Sequence, residues 1–431
     1  MQIKKLIPVN RINFKQQTSV ASLSSKNDCC EFENSNVNKK VFIDRRIINP
    51  DKNINAFFDE ISEKVFHNNE DKKYFSTMLK EGFISLSSAC YLNLEHPSSA
   101  TAVKLNPNNS ITKNLAYLEG FINSENGIGI NFQDFENPIE QIKKINAYLK
   151  YRQETTNRPP AAIGLLNITH PMILDFIGLK DDEDYKNWCF DISVIIPDDF
   201  LEKVDNNEDV ILDNGQKIKA REIYLKLITS MQKKGEPGVI FSNKKDYNCD
   251  CCAASELNEN EKLVLGHINL AKFYDTKTEK IDYAKLQKCA DILSKAMSNI
   301  DENSRIGILG YATLLDKMDI QYGSKEAIKL LDKVLSIIKA KVKANNLKMA
   351  ISPTGTISRF LMVSPALEPI NNEKITYYQE LDTMICAQKY LDGNISKTIL
   401  LKNYHTKEDI DCIIRYCAKN NIKGISVFPR N

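Results

Sequence analysis

The chain has 431 residues, enough for one large α/β domain or two ordinary ones, and its 42% hydrophobic and 26% charged residues are the mixture of a soluble globular protein. A formal charge of +2 gives no bulk electrostatic reason to expect a nucleic acid or a membrane as partner. No apolar run approaches the roughly 20 residues that span a bilayer, and the N-terminus MQIKKLIPVNRINF lacks the apolar core of a secretory signal, so a cytoplasmic location is expected.

Residues 19–40 are polar, rich in Ser and Asn and without period, and read as a flexible arm within an N-terminal extension over 1–50. From about Pro50 the pattern is globular to the end, with no internal repeat and no dividing linker, so residues 51–431 are read as one catalytic domain. Short apolar runs alternate with amphipathic segments, the signature of an α/β fold. Strands are expected at 161–166, 192–196, 239–241 and 422–427. Ser324 is an N-cap candidate for a helix whose apolar positions are Ala327, Leu331, Val334, Leu335 and Ile338. Thr406 opens another, with Ile410, Ile413, Ile414 and Cys417 on one face. This β–α repetition fits either a barrel or an open sheet.

Two segments carry chemistry by residue type. Pro353, Thr354, Gly355, Thr356 and Ser358 follow the expected strand Met349-Ala350-Ile351, and hydroxyls around a glycine at a helix start can hold a phosphate or carboxylate. An ordinary strand-to-helix turn with a hydroxyl cap is the alternative reading. Cys249, Cys251 and Cys252 crowd around Asp250. Zinc would need a fourth ligand, and neither a paired Cys-x-x-Cys nor a spaced His pair supplies one, His267 being the nearest histidine; no metal is therefore expected. The eleven cysteines are otherwise scattered, as buried small hydrophobes are.

In chain order, eight segments resemble the catalytic domain of ribonucleotide reductases, above all the adenosylcobalamin-dependent class. They are Ser88-Ala89-Cys90-Tyr91-Leu92, the first redox cysteine segment; Asn126-Gly127-Ile128-Gly129-Ile130-Asn131, the glycine-rich turn; Gly164-Leu165-Leu166 through His170-Pro171 to Asp175-Phe176-Ile177; and Gly235-Glu236-Pro237-Gly238. Leu265-Gly266-His267-Ile268-Asn269-Leu270, Arg305-Ile306-Gly307-Ile308-Leu309-Gly310, the 352–358 loop and Ser396-Lys397-Thr398-Ile399 complete the series. The resemblance runs from about Phe75 to Asn431 and implies a ten-stranded α/β barrel with a central finger loop carrying a radical cysteine. Counting back without a gap from Leu265-Gly266 places that finger on residues 250–254, with Cys252 as the thiyl position. The implied cofactor is adenosylcobalamin, the expected partner a small-molecule substrate, amino acid or nucleotide, and a homodimer is the oligomer considered.

The departures narrow the expected chemistry. The same count puts Leu263 where the family has its second redox cysteine, which leaves Cys90 as an auxiliary thiol without its usual partner. Ala254 replaces the finger glutamate, Asp250 its asparagine, and the sequence ends at Phe428-Pro429-Arg430-Asn431, without the family's cysteine-bearing tail or glycyl loop. These changes lead to the expectation of a redox-neutral radical enzyme performing cyclisation, isomerisation or elimination. Should the count be displaced by an insertion near 249–262, Cys249 or Cys251 takes over as radical site or partner. Asp250 and Asp191, both at amide positions, suit a cationic group, and the 353–358 loop suits a carboxylate; a basic amino acid such as arginine meets both demands. The Ser88 segment is also assigned to substrate binding. A minimal reductase making deoxynucleotides is one alternative, and an inactive homologue serving as a binding subunit is another.

Overall fold

The computed structural model describes residues 36–124, 126–156, 160–184, 187–370, 375–395, 397–402 and 405–429. Cys29, Cys30 and Ser396 lie outside the described residues. In chain order the strands are β1 (Ile84–Leu86), β2 (Ala100–Ala102), β3 (Gly127–Asn131), β4 (Ala162–Asn167), β5 (Phe190–Ile196), β6 (Asp209–Ile211), β7 (Lys217–Lys219) and β8 (Gly238–Phe241). They continue with β9 (Lys262–Leu263), β10 (Leu265–Asn269), β11 (Tyr274–Asp275), β12 (Lys280–Ile281), β13 (Arg305–Leu309), β14 (Lys348–Met349), β15 (Thr398–Leu401) and β16 (Gly424–Pro429).

One sheet has the order β15-β16-β8-β5-β4-β3-β2-β9 and a second β1-β10-β13-β14; β6–β7 and β11–β12 are peripheral hairpins. Strands β2, β3, β4, β5 and β8 are mutually parallel. Strands β10, β13 and β14 are parallel, as are β15 and β16, and an Ile351↔Ile395 bridge joins these two groups in the same sense. The two five-strand halves meet antiparallel where β16 pairs β8. On the other side the chain itself makes the link, passing from β9, paired with β2, through Val264 into β10. The result is the ten-stranded α/β barrel arrangement, with buried helices on the outside of parallel strands as such sheets require.

The helices form where the sequence marks them. Ser324 accepts the Ala327 N–H and starts the helix Lys325–Ala344, whose apolar stripe Ala327, Leu331, Val334, Leu335, Ile338 is buried. Thr406 and Asp409 form a reciprocal capping box at the helix Lys407–Lys419. The helix Asn36–Asp44 begins inside the segment read as a flexible arm; Phe42 is fully buried and stacks on Phe360 with ring centroids 3.8 Å apart. That apolar anchor, near the end of a polar stretch, is why composition alone did not reveal the helix. At the entry to β5 and β8, Lys180 and Glu236 are both buried and meet at 2.5 Å, with Lys180 also donating to the Phe190 carbonyl. None of the described helices is long and apolar enough to cross a membrane.

Candidate active site

Between β8 and β9 the chain folds into a narrow loop that enters the barrel. Its two arms are held by a Cys249↔Glu256 bridge, by Leu257 N–H on the Asn248 carbonyl (3.0 Å) and by Asp250 N–H on the Ser255 carbonyl (3.1 Å). At the tip, Ala253 adopts φ +54°, an uncommon conformation for a residue with a side chain, and donates to the Asp250 carbonyl at 3.0 Å. Glycines on opposite walls make room for the tip. A Cβ on Gly129 would lie 1.9 Å from the Cys249 carbonyl oxygen, and one on Gly127 2.2 Å from the Cys251 Sγ. Across the barrel, a Cβ on Gly393 would lie 2.7 Å from the Ala254 carbonyl oxygen. The loop is thus clamped between β3 and the segment entering β15, the disposition expected of a finger. Asn131 fixes its base by donating to the carbonyls of Lys245 and Tyr247 at 3.0 and 2.9 Å.

Within the finger the side chains of Asp250, Cys251 and Cys252 converge, their ligating atoms all within 4.8 Å of one another. Asp250 is fully buried. One of its oxygens accepts the Ser255 N–H at 2.6 Å; the other accepts the Cys252 thiol at 2.6 Å and the Cys252 N–H at 3.3 Å. Burial raises its carboxyl above the ordinary range, against the lowering effect of those hydrogen bonds and of Arg305. Arg305, itself buried, donates to the Glu256 carbonyl at 2.9 Å and lies 3.6 Å from Glu261, bracing the finger from β13. The Cys252 thiol is pushed well above its usual range, first by the Cys251 thiol, then by burial and by Asp250. It therefore stays an S–H group, the form from which a hydrogen atom, rather than a proton, is removed. Cys249 and Cys251 are buried, whereas Cys252 is partly exposed.

Cys90 is fully buried on the helix Ser88–Leu92, its thiol receiving the Ser87 hydroxyl at 3.2 Å and facing the Leu265 carbonyl at 3.8 Å. Ser87 bonds Ser99 at 3.0 Å, and the Ser99 N–H reaches the Leu263 carbonyl at 2.7 Å. Leu263 thus lies on the strand next to the Cys90 segment, buried in one apolar cluster with Ala100, Cys251 and Leu265, and it brings no thiol there.

The remaining sequence-derived positions divide. Ser88, partly exposed, opens the helix that carries Cys90. Asp191 lies on β5 in register with Ile163, which pairs Gly129, so it shares the inward face with the finger's glycine wall. In the 353–358 loop Ser358 donates its proton to the Gly355 carbonyl at 3.3 Å, whereas Thr354 accepts the Ala366 N–H at 2.9 Å, a contact that does not use its own O–H. Pro353, Gly355 and Thr356 are partly exposed at the mouth of the helix Gly355–Leu361.

Two groups that the sequence reading mentions were not among the site residues it expected. His267 on β10 is buried, and neither ring nitrogen has a hydrogen-bond partner among the described residues; the hydroxyl of buried Ser352 is in the same condition. Burial lowers the imidazole to about 4, so it is neutral at physiological pH. Leaving such a group unsatisfied costs about 1–3 kcal/mol. Strand alternation was the available signal, since His267 and Leu265 share a face while Gly266 and Ile268 share the other.

The description of the ribonucleotide reductase barrel domain matches residues 106–350. A vitamin B12-dependent ribonucleoside-diphosphate reductase of Thermoplasma acidophilum is 25% identical, over 68% of this chain and 54% of that protein. Its counterpart from Mycobacterium tuberculosis strain CDC 1551 is also 25% identical, over 48% of this chain and 35% of its own length. The chain therefore spans about half the length, or less, of the curated relatives it matches. Among solved structures, the class Id ribonucleotide reductase alpha subunit of Actinobacillus ureae superposes with a TM-score of 0.75 at 15% identity, covering 93% of this chain and 98% of that one. That likeness concerns the fold; together with the family match over more than half the sequence, it carries the conclusion that this chain belongs to the ribonucleotide reductase barrel-domain family.

Proposed function

We propose that this protein is a thiyl-radical enzyme in which Cys252 abstracts and later returns a substrate hydrogen, in a redox-neutral transformation of a small anion-bearing molecule. The observation that supports the reading is Leu263: the position that the gapless count gives to the second redox cysteine is apolar, pairs Ala100 and packs in one buried cluster with Cys251, so it offers Cys90 no thiol. The proposed cycle is balanced without an external reductant. The Cys252 sulfur radical takes a hydrogen atom from a substrate carbon, becoming a thiol; the rearranged carbon radical takes that hydrogen back.

Asp250 is proposed as the positioning group of the radical thiol: its buried carboxylate holds the Cys252 S–H at 2.6 Å and the Cys252 N–H at 3.3 Å, which fixes the direction of the reacting bond. Both Asp250 oxygens are turned into the finger and Asp191 already has an interaction partner, so a basic amino acid such as arginine stays only as one substrate class to test, with a ribonucleotide as the other. The radical source we propose is adenosylcobalamin, the cofactor class named for the relatives. The donor chemistry fits at the reacting end, since Cys252 is the partly exposed thiol of the three in the finger. When bound, adenosylcobalamin supplies a carbon-centred radical able to take the thiol hydrogen.

A second reading, nucleotide reduction, is favoured by the Cys251 thiol beside Cys252, which puts a reducing equivalent in the finger itself. Anaerobic incubation with adenosylcobalamin separates the two, using a ribonucleotide pool with dithiothreitol and, separately, an amino-acid pool, each compared with Cys252→Ala by mass spectrometry. A Cys252-dependent product without thiol consumption supports the first reading; deoxynucleotides formed only by the wild type establish the second. Product formation that survives Cys252→Ala overturns both.

A further inference from the structure

Asp250, Cys251 and Cys252 are consecutive in the chain, yet a carboxylate oxygen and both sulfurs lie within 4.8 Å of one another. Extended backbone would send neighbouring side chains to opposite faces. Here the tight tip gathers them, with Asp250 N–H on the Ser255 carbonyl and Ala253 at φ +54°. Ligands of a tetrahedral ion, bonded at about 2.3 Å to sulfur and about 2.0 Å to oxygen, stand about 3.5–3.8 Å apart, so a shift of about an ångström lets the three atoms share one ion. Cys252 now donates its thiol proton to an Asp250 oxygen at 2.6 Å. An ion taking the place of that proton would join the same two atoms. The carboxylate also has support that does not depend on the thiol, because the Ser255 N–H holds one oxygen at 2.6 Å and the Cys252 N–H the other at 3.3 Å. Outer hydrogen bonds of this kind orient a ligating carboxylate.

The surroundings suit a soft ion. Cys251 backs onto Gly127 and lies in the apolar cluster of Ala100, Leu257 and Leu263, while Cys252 is partly exposed and leaves a way in. Two thiolates and a carboxylate would leave a divalent ion with one net negative charge, which Arg305, acting on Asp250 from β13, offsets.

We infer that Asp250, Cys251 and Cys252 form a binding site for a thiophilic divalent cation of the Zn²⁺ class, with its fourth position open on the exposed side of Cys252. A closed structural centre needs four protein ligands, which the sequence does not supply; an open centre needs three. The sulfurs select against Mg²⁺ and Ca²⁺, which take oxygen ligands, and the carboxylate selects against monovalent copper. Binding sends the two thiol protons to water and changes no oxidation state. The site stands whether or not the radical reading does; on that reading, a bound ion takes from Cys252 the hydrogen that the cycle uses.

The test uses Co²⁺ as a coloured stand-in for Zn²⁺, titrated anaerobically into chelator-treated full-length protein without cobalamin or substrate, so binding and turnover can fail independently. The expected result is one equivalent bound, with a thiolate-to-cobalt charge-transfer band of two-sulfur intensity that Zn²⁺ abolishes. Cys251→Ala and Cys252→Ala should each halve that band and weaken binding about tenfold or more, whereas Asp250→Asn should keep the band and weaken binding by a similar factor. A double variant, Cys29→Ser with Cys30→Ser, removes the other adjacent cysteine pair of the sequence and should change nothing. X-ray absorption of the zinc-loaded wild type needs no variant, and should count two sulfurs at about 2.3 Å beside oxygen at about 2.0 Å. The inference is overturned by no band at one equivalent, or by a band undiminished in both Cys251→Ala and Cys252→Ala. A band lost with Cys29 and Cys30, or any sulfur count other than two, overturns it as well.

Discussion

Lys180 and Glu236, at the entry to β5 and β8, are buried as Asp250 is, but their environments are built differently. The former are each other's counter-ions at 2.5 Å, and a similar closed set joins Lys397 to Glu368 and Glu380 at 2.8 and 2.6 Å. Asp250 instead depends on two backbone N–H groups and a thiol, with Arg305 acting on it from β13. A fully paired buried charge fixes strands in place and has no freedom to react. An acid held by neutral donors keeps a carboxyl that can still exchange a proton, at the expense of stability.

Substitutions can break that contrast on either side. The largest expected effect is on turnover. Asp250→Asn keeps the shape and an acceptor for Ser255 but replaces the carboxylate that holds the Cys252 thiol, and a loss of about 10²-fold in rate is expected, measured as product formed per enzyme. The same variant sharpens the comparison in stability. Burial raises the Asp250 carboxyl, so the native state holds its proton more firmly than the unfolded chain. Its ionisation therefore works against folding as pH climbs past the ordinary carboxylate value of about 4. Asp250→Asn should melt above the wild type at pH 7, with the gap closing below about pH 4; a lower melting temperature at pH 7 would count against the acid's unbalanced burial.

Next in size is the paired site. Lys180→Met leaves Glu236 buried without its cation, and denaturant titration should show a loss of about 3–5 kcal/mol. The smallest effect lies between finger and wall. Gly129→Ala drives a methyl group into the Cys249 carbonyl, 1.9 Å from the new carbon, and should cost about 1–3 kcal/mol of stability by chemical denaturation as the finger backs away. Unchanged stability there would mean that the finger is not clamped.

Much of the frame was legible because local and global signals agreed. Ser324 and Thr406 cap the helices they were expected to cap, and β4, β5, β8 and β16 fall on the apolar runs that announced them. The finger was legible by counting, since motif spacing survives where side chains have changed. Three features were not legible, for physical reasons. The direction of the Asp250 carboxylate depends on which N–H groups the turn at Ala253 presents, and composition does not encode that. How the hydroxyls of the 353–358 loop are shared was the second, since Ser358 turns its proton to the Gly355 carbonyl whereas Thr354 accepts the Ala366 N–H and does not spend its own O–H there. His267 was weighed only as the histidine nearest the cysteine cluster, because its flanking Leu, Gly, Ile and Asn fitted the family pattern and gave no sign of an unpartnered ring.

The glycine clamp also has a consequence for how this chain can change over generations. Gly127 and Gly129 lie on one wall, Gly393 lies far along the chain on the other, and the finger tip occupies the space that their missing side chains leave. A bulkier residue at any of the three, or a shifted backbone at Cys249 or Ala254, is tolerable only with a matching change across the barrel. Distant stretches of the gene are thereby tied into one heritable unit, and the finger cannot be transplanted into a relative without carrying its walls along.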